Sequence, residues 1–157
     1  MQGDAAVIEV LNEVLTNELT AINQYFVHAK MCANWGYERL AAHHHAESIE
    51  EMKHADAIMD RILLLDGMPN MQRLNPVRIG ETVPEQHACD LQLEIEAVDT
   101  LRKGIAICLD KADHGTRELL EKILVDEENG IDWIEARLQI IKDIGVENYL
   151  AEQINKN

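Results

Sequence analysis

Four glutamates occupy positions where this sequence should be apolar. One stripe runs Leu11, Leu15, Glu18, Ile22, Tyr25, Ala29, Cys32 in alternating steps of four and three, the spacing of a helix seam buried in a bundle. A second stripe, Leu91, Glu94, Val98, Leu101, Ile105, Cys108, carries a glutamate in the same way, and a third runs Leu120, Ile123, Glu127, Gly130, Ile134, Leu138, Ile141. Between them, Glu51 and His54 precede Ile58, Ile62 and Leu65 at the same spacing. Carboxylates buried together must be protonated, paired with cations or bound to metal, because desolvation and mutual repulsion cost several kcal/mol each. No Lys or Arg shares these seam positions. Oxygen donors with one imidazole suit iron or manganese better than copper or thiolate-loving metals. In Glu51-x-x-His54 the i, i+3 spacing puts both groups on one helical face.

The elements that must position these groups are legible from the breakers. Pro69, Pro76 and Pro84 lie in one short stretch, which leaves the rest of the chain free for long helices. Glycines between periodic segments place four helices at about 5–35, 38–65, 84–112 and 116–144, with a short tail helix from about 146. Each long helix then measures ~42 Å at 1.5 Å per residue. Gly36 separates the first pair and Asp113-His114-Gly115 the second, so each pair forms an antiparallel hairpin. The segment from Asp66 to Val83 is long enough to run the length of the bundle. An all-α four-helix bundle with one long crossover between helices two and three is the ferritin-like connectivity. Counted from the two hairpins, Glu18 and Glu94 lie at one height and Glu51 and Glu127 at another three residues away, so all four carboxylates should meet near mid-bundle.

Composition sets the class. The 157 residues carry 14 Lys plus Arg against 29 Asp plus Glu, a formal net charge of -15. That balance argues against nucleic-acid or anionic-membrane partners and suits a protein that handles cations. Nothing reads as a bilayer span or a secretion signal. Three widely spaced cysteines, Cys32, Cys89 and Cys108, match neither a disulfide framework nor a zinc cluster and read as small core residues of a cytoplasmic protein.

Over its whole length, 1–157, taken as one domain, the sequence resembles the bacterioferritins. The resemblance is carried by Asn17-Glu18-Leu19-Thr20-Ala21-Ile22-Asn23-Gln24-Tyr25-Phe26, Glu50-Glu51-Met52-Lys53-His54-Ala55-Asp56, Asp90-Leu91-Gln92-Leu93-Glu94, Asp126-Glu127-Glu128, Ile131-Asp132-Trp133 and Glu147-Asn148-Tyr149-Leu150. It implies a homo-oligomeric shell of 24 subunits, or a mixed shell with a second bacterioferritin subunit, storing ferric mineral. It also implies a di-iron ferroxidase centre in each bundle that oxidises Fe²⁺ with O₂ or H₂O₂. On this likeness Glu51 and Glu127 bridge two irons, Glu18 and Glu94 are terminal ligands, His54 holds one iron, and Tyr25 is a hydrogen-bond partner behind them. Met52 is the family's haem ligand, with haem b shared across a twofold axis between two subunits. The resemblance further implies iron release through that haem, with a ferredoxin as electron donor. Ile49, Met52 and Met59, with Leu19, Asn23 and Phe26 on the first helix, form a second apolar strip of the kind a subunit interface needs.

One position departs from the family pattern. Where the family has Glu-x-x-His, this chain reads Glu127-Glu128-Asn129-Gly130. The expectation is a second iron subsite with carboxylates only, giving weaker occupancy and slower or incomplete oxidation. The alternative is a haem-bearing structural subunit whose own centre is defective. Glu128 and Asn129 point away from the seam. A rubrerythrin-like oxidase is disfavoured by the lack of a Cys-x-x-Cys module. His43-His44-His45 reads as a solvated turn ahead of an inner-surface iron site beside Glu47 and Glu50. His28, His87 and His114 read as surface residues. The acidic excess is expected to line entry pores and the cavity wall.

Overall fold

The computed structural model describes residues 1–155, so the last two positions of the expected 1–157 domain lie outside it. Four long helices and one short one follow in order: α1 (Ala5–Trp35), α2 (Glu38–Leu64), α3 (Val83–Asp110), α4 (His114–Ile144) and α5 (Val146–Ala151). These bounds match the sequence-based ones to within two residues. Local chemistry explains the ends. Asp4 accepts the Ala6 amide at the start of α1, Thr82 accepts the Glu85 amide at the start of α3, and Asp113 accepts the Thr116 amide at the start of α4. The α1–α2 hairpin turns on Gly36, whose φ of 89° lies in the left-handed region that glycine adopts without strain.

α1 packs on α2 and on α3, and α3 packs on α4. One core cluster fills the end of the bundle away from Gly36 with Val7, Leu11, Leu15, Ile58, Ile62, Leu101, Leu120 and Ile123. Another, with Cys32, Leu40, Val83 and Tyr149, fills the opposite end and docks α5. The polar groups of the candidate site lie between the two. Among the described residues no helix is long and apolar enough to cross a membrane.

The crossover is tied down by a row of polar side chains on α1 spaced four residues apart. Asn12 donates to the Met68 carbonyl and accepts the Asn70 amide. Thr16 accepts from Arg73 Nε, Thr20 accepts the Asn75 amide, Gln24 accepts the Arg78 amide, and His28 Nε2 accepts the Gly80 amide. All five side chains are buried beneath the strap. An i, i+4 row is a natural ridge on a helix, so an extended segment laid along it meets a new partner at every turn. The backbone groups of an irregular segment are satisfied in this way without a strand partner.

Replacing Thr20 by valine keeps its shape and removes the acceptor for the Asn75 amide. The expected cost is about 1–3 kcal/mol, the penalty of a desolvated, unpaired donor. Hydrogen exchange should quicken at Asn75 and its neighbours while the amides of α3 and α4 keep their protection.

Candidate metal centre

The predicted glutamates converge. Glu18 from α1, Glu51 and His54 from α2 and Glu127 from α4 each place one potential ligand atom within 4.8 Å of all the others, and all four residues are buried. His54 Nδ1 stands 3.2 Å from Glu127 Oε1, 3.5 Å from Glu18 Oε2 and 3.6 Å from Glu51 Oε2. Glu94 from α3 adjoins this group, with its Oε1 accepting a 2.6 Å hydrogen bond from the Tyr25 hydroxyl. The heights read from the hairpins are therefore correct.

Several buried atoms here have no hydrogen-bond partner among the described residues: Glu18 Oε2, His54 Nδ1, Glu94 Oε2 and Glu127 Oε1. A buried polar atom left unpaired is costly, and these point into one shared space. The donor set is what a pair of oxygen-preferring metal ions requires, with one imidazole already among the carboxylates. His54 is oriented from behind, because its Nε2 lies 2.9 Å from Asp126 Oδ2. Donation of Nε2–H to that carboxylate leaves Nδ1 as the atom facing the cluster.

Electrostatics without metal follow from burial. Desolvation pushes the Glu18 carboxyl up to about 7, helped by the negative charge of Glu127. Desolvation also raises Glu51, Glu94 and Glu127. For His54 burial works to lower the pKa, but the carboxylates of Glu127, Glu18 and Glu51 overcome it and the net shift is upward. The Tyr25 phenol, buried beside Glu94, is held well above its ordinary value.

A recess of about 160 Å³ reaches the centre from outside, lined by Glu47, Glu50, Glu51, His54, Asp126 and Asn129. Burial, with Glu51 and Glu50 nearby, lifts Glu47 to about 7. Asn129, expected to point away from the seam, lines this recess, while Glu128 lies on the outside 3.8 Å from Arg102.

Comparison with known proteins agrees with this geometry. The ferritin-like domain family matches residues 8–144. The chain is 53% identical to a bacterioferritin of Mycolicibacterium paratuberculosis, covering 99% of this chain and 98% of the relative. It is 50% identical to a bacterioferritin of Streptomyces coelicolor (99% and 93%) and 42% identical to one of Brucella melitensis (95% and 92%). This chain belongs to the bacterioferritin family.

Gly130 does not disrupt the bacterioferritin centre. A β-carbon built there would stand 3.6 Å from Glu94 Cδ and 3.7 Å from its Oε2, so the position faces the Glu94 side of the cluster. The remaining donors hold their places around it, and the expected weakening of the centre has no support in their arrangement.

Several other expectations need correction. His28 and His87 are fully buried rather than on the surface, and His44 is buried rather than part of a solvated turn. Burial lowers His44 well below the ordinary histidine range and brings His87 down to about 4, with neighbouring histidines adding to both shifts. His43 stacks on Trp133 with ring centroids 3.6 Å apart, and burial with Arg137 nearby lowers it to about 4. His114 is exposed as expected. The second apolar strip is narrower than predicted. Leu19 and Met59 pack against the core, whereas Phe26, Ile49 and Met52 remain 49%, 38% and 50% exposed.

Sequence reasoning missed Asp126 as the partner of His54. Its adjacency to Glu127 on α4 was the available signal, since the residue next to a ligand lies beside the ligand's neighbours.

The raised Glu18 pKa fixes a sign for stability. A carboxyl whose folded pKa exceeds its unfolded value contributes fully below the unfolded pKa near 4.5, and that contribution is lost as pH rises through about 7. Metal-free protein should therefore weaken over this interval. Glu18→Gln, which cannot ionise, should be more stable than the metal-free parent at pH 8 by about 2–3 kcal/mol. Denaturant titrations of both proteins in chelator at pH 5 and pH 8 check this, with the difference shrinking at pH 5.

Proposed function

We propose that this chain oxidises Fe²⁺ at the buried carboxylate centre and stores the ferric product inside a shell of 24 copies in the cytoplasm. The observation that carries the reading is the convergence of Glu18, Glu51, His54 and Glu127, with Glu94 beside them, on one buried space with unpaired oxygens. Glu51 and Glu127 would bridge two irons, Glu18 and Glu94 would each hold one end, and His54 would ligate through Nδ1. Two irons held side by side supply a two-electron oxidation by dioxygen or peroxide, which avoids release of radicals.

The chain's own residues prepare the site. The acidic recess beside Glu47, Glu50 and Asp126 attracts the divalent substrate and leads it to His54. Entry of Fe²⁺ displaces the protons that burial keeps on the glutamates and the proton on His54 Nδ1. Asp126 keeps the imidazole ring aimed inward as its proton leaves. The Tyr25 hydroxyl occupies one oxygen of Glu94 and leaves the other facing the metal space.

Met52 fits haem b in its own way. Met52 is half exposed, as are Ile49 one turn before it on α2 and Phe26 on α1, apolar side chains of the kind that suit a porphyrin face at a twofold interface. Met52 and its counterpart in a second subunit would hold the haem, which would supply redox chemistry for iron release with a ferredoxin as electron donor.

Anaerobic Fe²⁺ titration of the pure protein, followed by oxygen, tests the proposal. Two irons bound per chain and oxidised in a fast phase are expected. One or none, beside a normal haem spectrum, would overturn it and mark a haem-bearing structural subunit of a mixed shell instead. Gly130→His adds an imidazole facing Glu94 and should tighten binding of the second Fe²⁺ about tenfold or more, the scale of one extra ligand interaction of ~1.4 kcal/mol. Met52→Leu should abolish the haem Soret band in protein reconstituted with haem.

A further inference from the structure

Two turns along the bundle from the carboxylate centre lies a second group of buried polar atoms. His44 precedes Glu51 by seven residues and His87 precedes Glu94 by seven, so both histidines hold the same seam register as those glutamates, one layer nearer the Gly36 end. Asp90, one turn beyond His87 on α3, completes the group. All three are buried, and one ligand atom from each lies within 4.8 Å of the others.

Their hydrogen bonds are one-sided. Asp90 Oδ1 accepts from Gln24 at 2.9 Å and meets His28 Nδ1 at 3.0 Å. His28 Nε2 already accepts the Gly80 amide, so its proton sits on Nδ1 and is donated to Asp90. His87 Nε2 meets the Tyr149 hydroxyl at 3.0 Å. On the inner side Asp90 Oδ2, His87 Nδ1 and both ring nitrogens of His44 have no partner among the described residues. Asp90 Oδ2 and His44 Nδ1 are 3.8 Å apart. That is too long for a hydrogen bond, yet close to the roughly 3.4 Å that separates two ligands of one tetrahedral ion with bonds of ~2.0–2.1 Å.

We propose that His44, His87 and Asp90 bind a divalent first-row ion, Zn²⁺ or Fe²⁺, at a mononuclear site separate from the carboxylate centre. The set of two imidazoles and one carboxylate matches the preference of both ions and leaves at least one position for water. Two of the three ligands have the outer partners a metal site needs: Tyr149 takes the far nitrogen of His87, and Gln24 and His28 fix Asp90 from behind. One ion would pair three of these four buried atoms, because His44 offers it a single ring nitrogen. The site does not depend on the chain being a ferroxidase.

The test uses the assembled, chelator-stripped wild-type protein, crystallised after loading with Zn²⁺ or, under anaerobic conditions, with Fe²⁺. Anomalous differences at each absorption edge should show a peak within bonding distance of His44, His87 and Asp90, apart from any at Glu18–Glu127. The ion giving the peak identifies the occupant. His44→Leu should lower tightly bound metal by one equivalent per chain while the peak at the carboxylate centre remains. Density at the histidines without anomalous signal from either ion, as an ordered water gives, overturns the proposal. So does a metal content unchanged by His44→Leu. Should that variant fail to assemble, the wild-type anomalous map still decides.

Discussion

Near the middle of the bundle Glu18, Glu51, Glu94 and Glu127 are buried together where, among the described residues, the cation at hand is His54 and no lysine or arginine pairs with them. In a low-dielectric interior such a group cannot remain fully ionised, and burial raises all four carboxyls accordingly. The surrounding structure is arranged to bear that cost. Apolar clusters at both ends of the bundle supply the favourable burial, and the long helices keep the polar layer at fixed height between them. Asp126 and Tyr25 then orient His54 and Glu94, so the acidic layer has a defined geometry before any cation enters.

The crossover shows the same economy in a neutral setting. An eighteen-residue connection would leave its amides to solvent if it ran free, yet here it follows the ridge Asn12, Thr16, Thr20, Gln24, His28 on α1. These side chains make α1 polar on a face that is nonetheless buried. Gln24 and His28 also reach across to Asp90, so the strap and the second polar group share two anchors.

Much of this was legible in the sequence because it rests on periodicity. The seam glutamates stood out as charges on apolar stripes, and the proline-bearing stretch marked the crossover. The buried histidines were not legible for the opposite reason. His28 lies off the apolar stripe that exposed Glu18, and His87 stands at the N-terminal edge of its stripe, where a polar residue is ordinarily solvated. Its burial depends on a partner from a distant part of the chain: Gly80 and Asp90 for His28, Tyr149 for His87. Likewise Leu19 and Met59 looked like interface residues on helical spacing alone, whereas side-chain packing draws both inward and leaves Phe26, Ile49 and Met52 outside.

Charge balance argues for two ions rather than one in the carboxylate layer. Four ionised glutamates carry four negative charges, and one imidazolium at His54 would leave three uncompensated in a region that solvates charge poorly. A single divalent cation, with His54 neutral as a ligand, leaves two. A pair of divalent cations balances all four, and only then can the protons retained by burial leave without penalty. The nearby histidine layer obeys the same arithmetic at lower charge. His44 and His87 are held neutral by burial, so Asp90 offers the one carboxylate there, which offsets half the charge of a single divalent cation and none of a second. Two layers built on one seam register thus differ in how many cations they call for, because one is lined by carboxylates and the other chiefly by imidazoles.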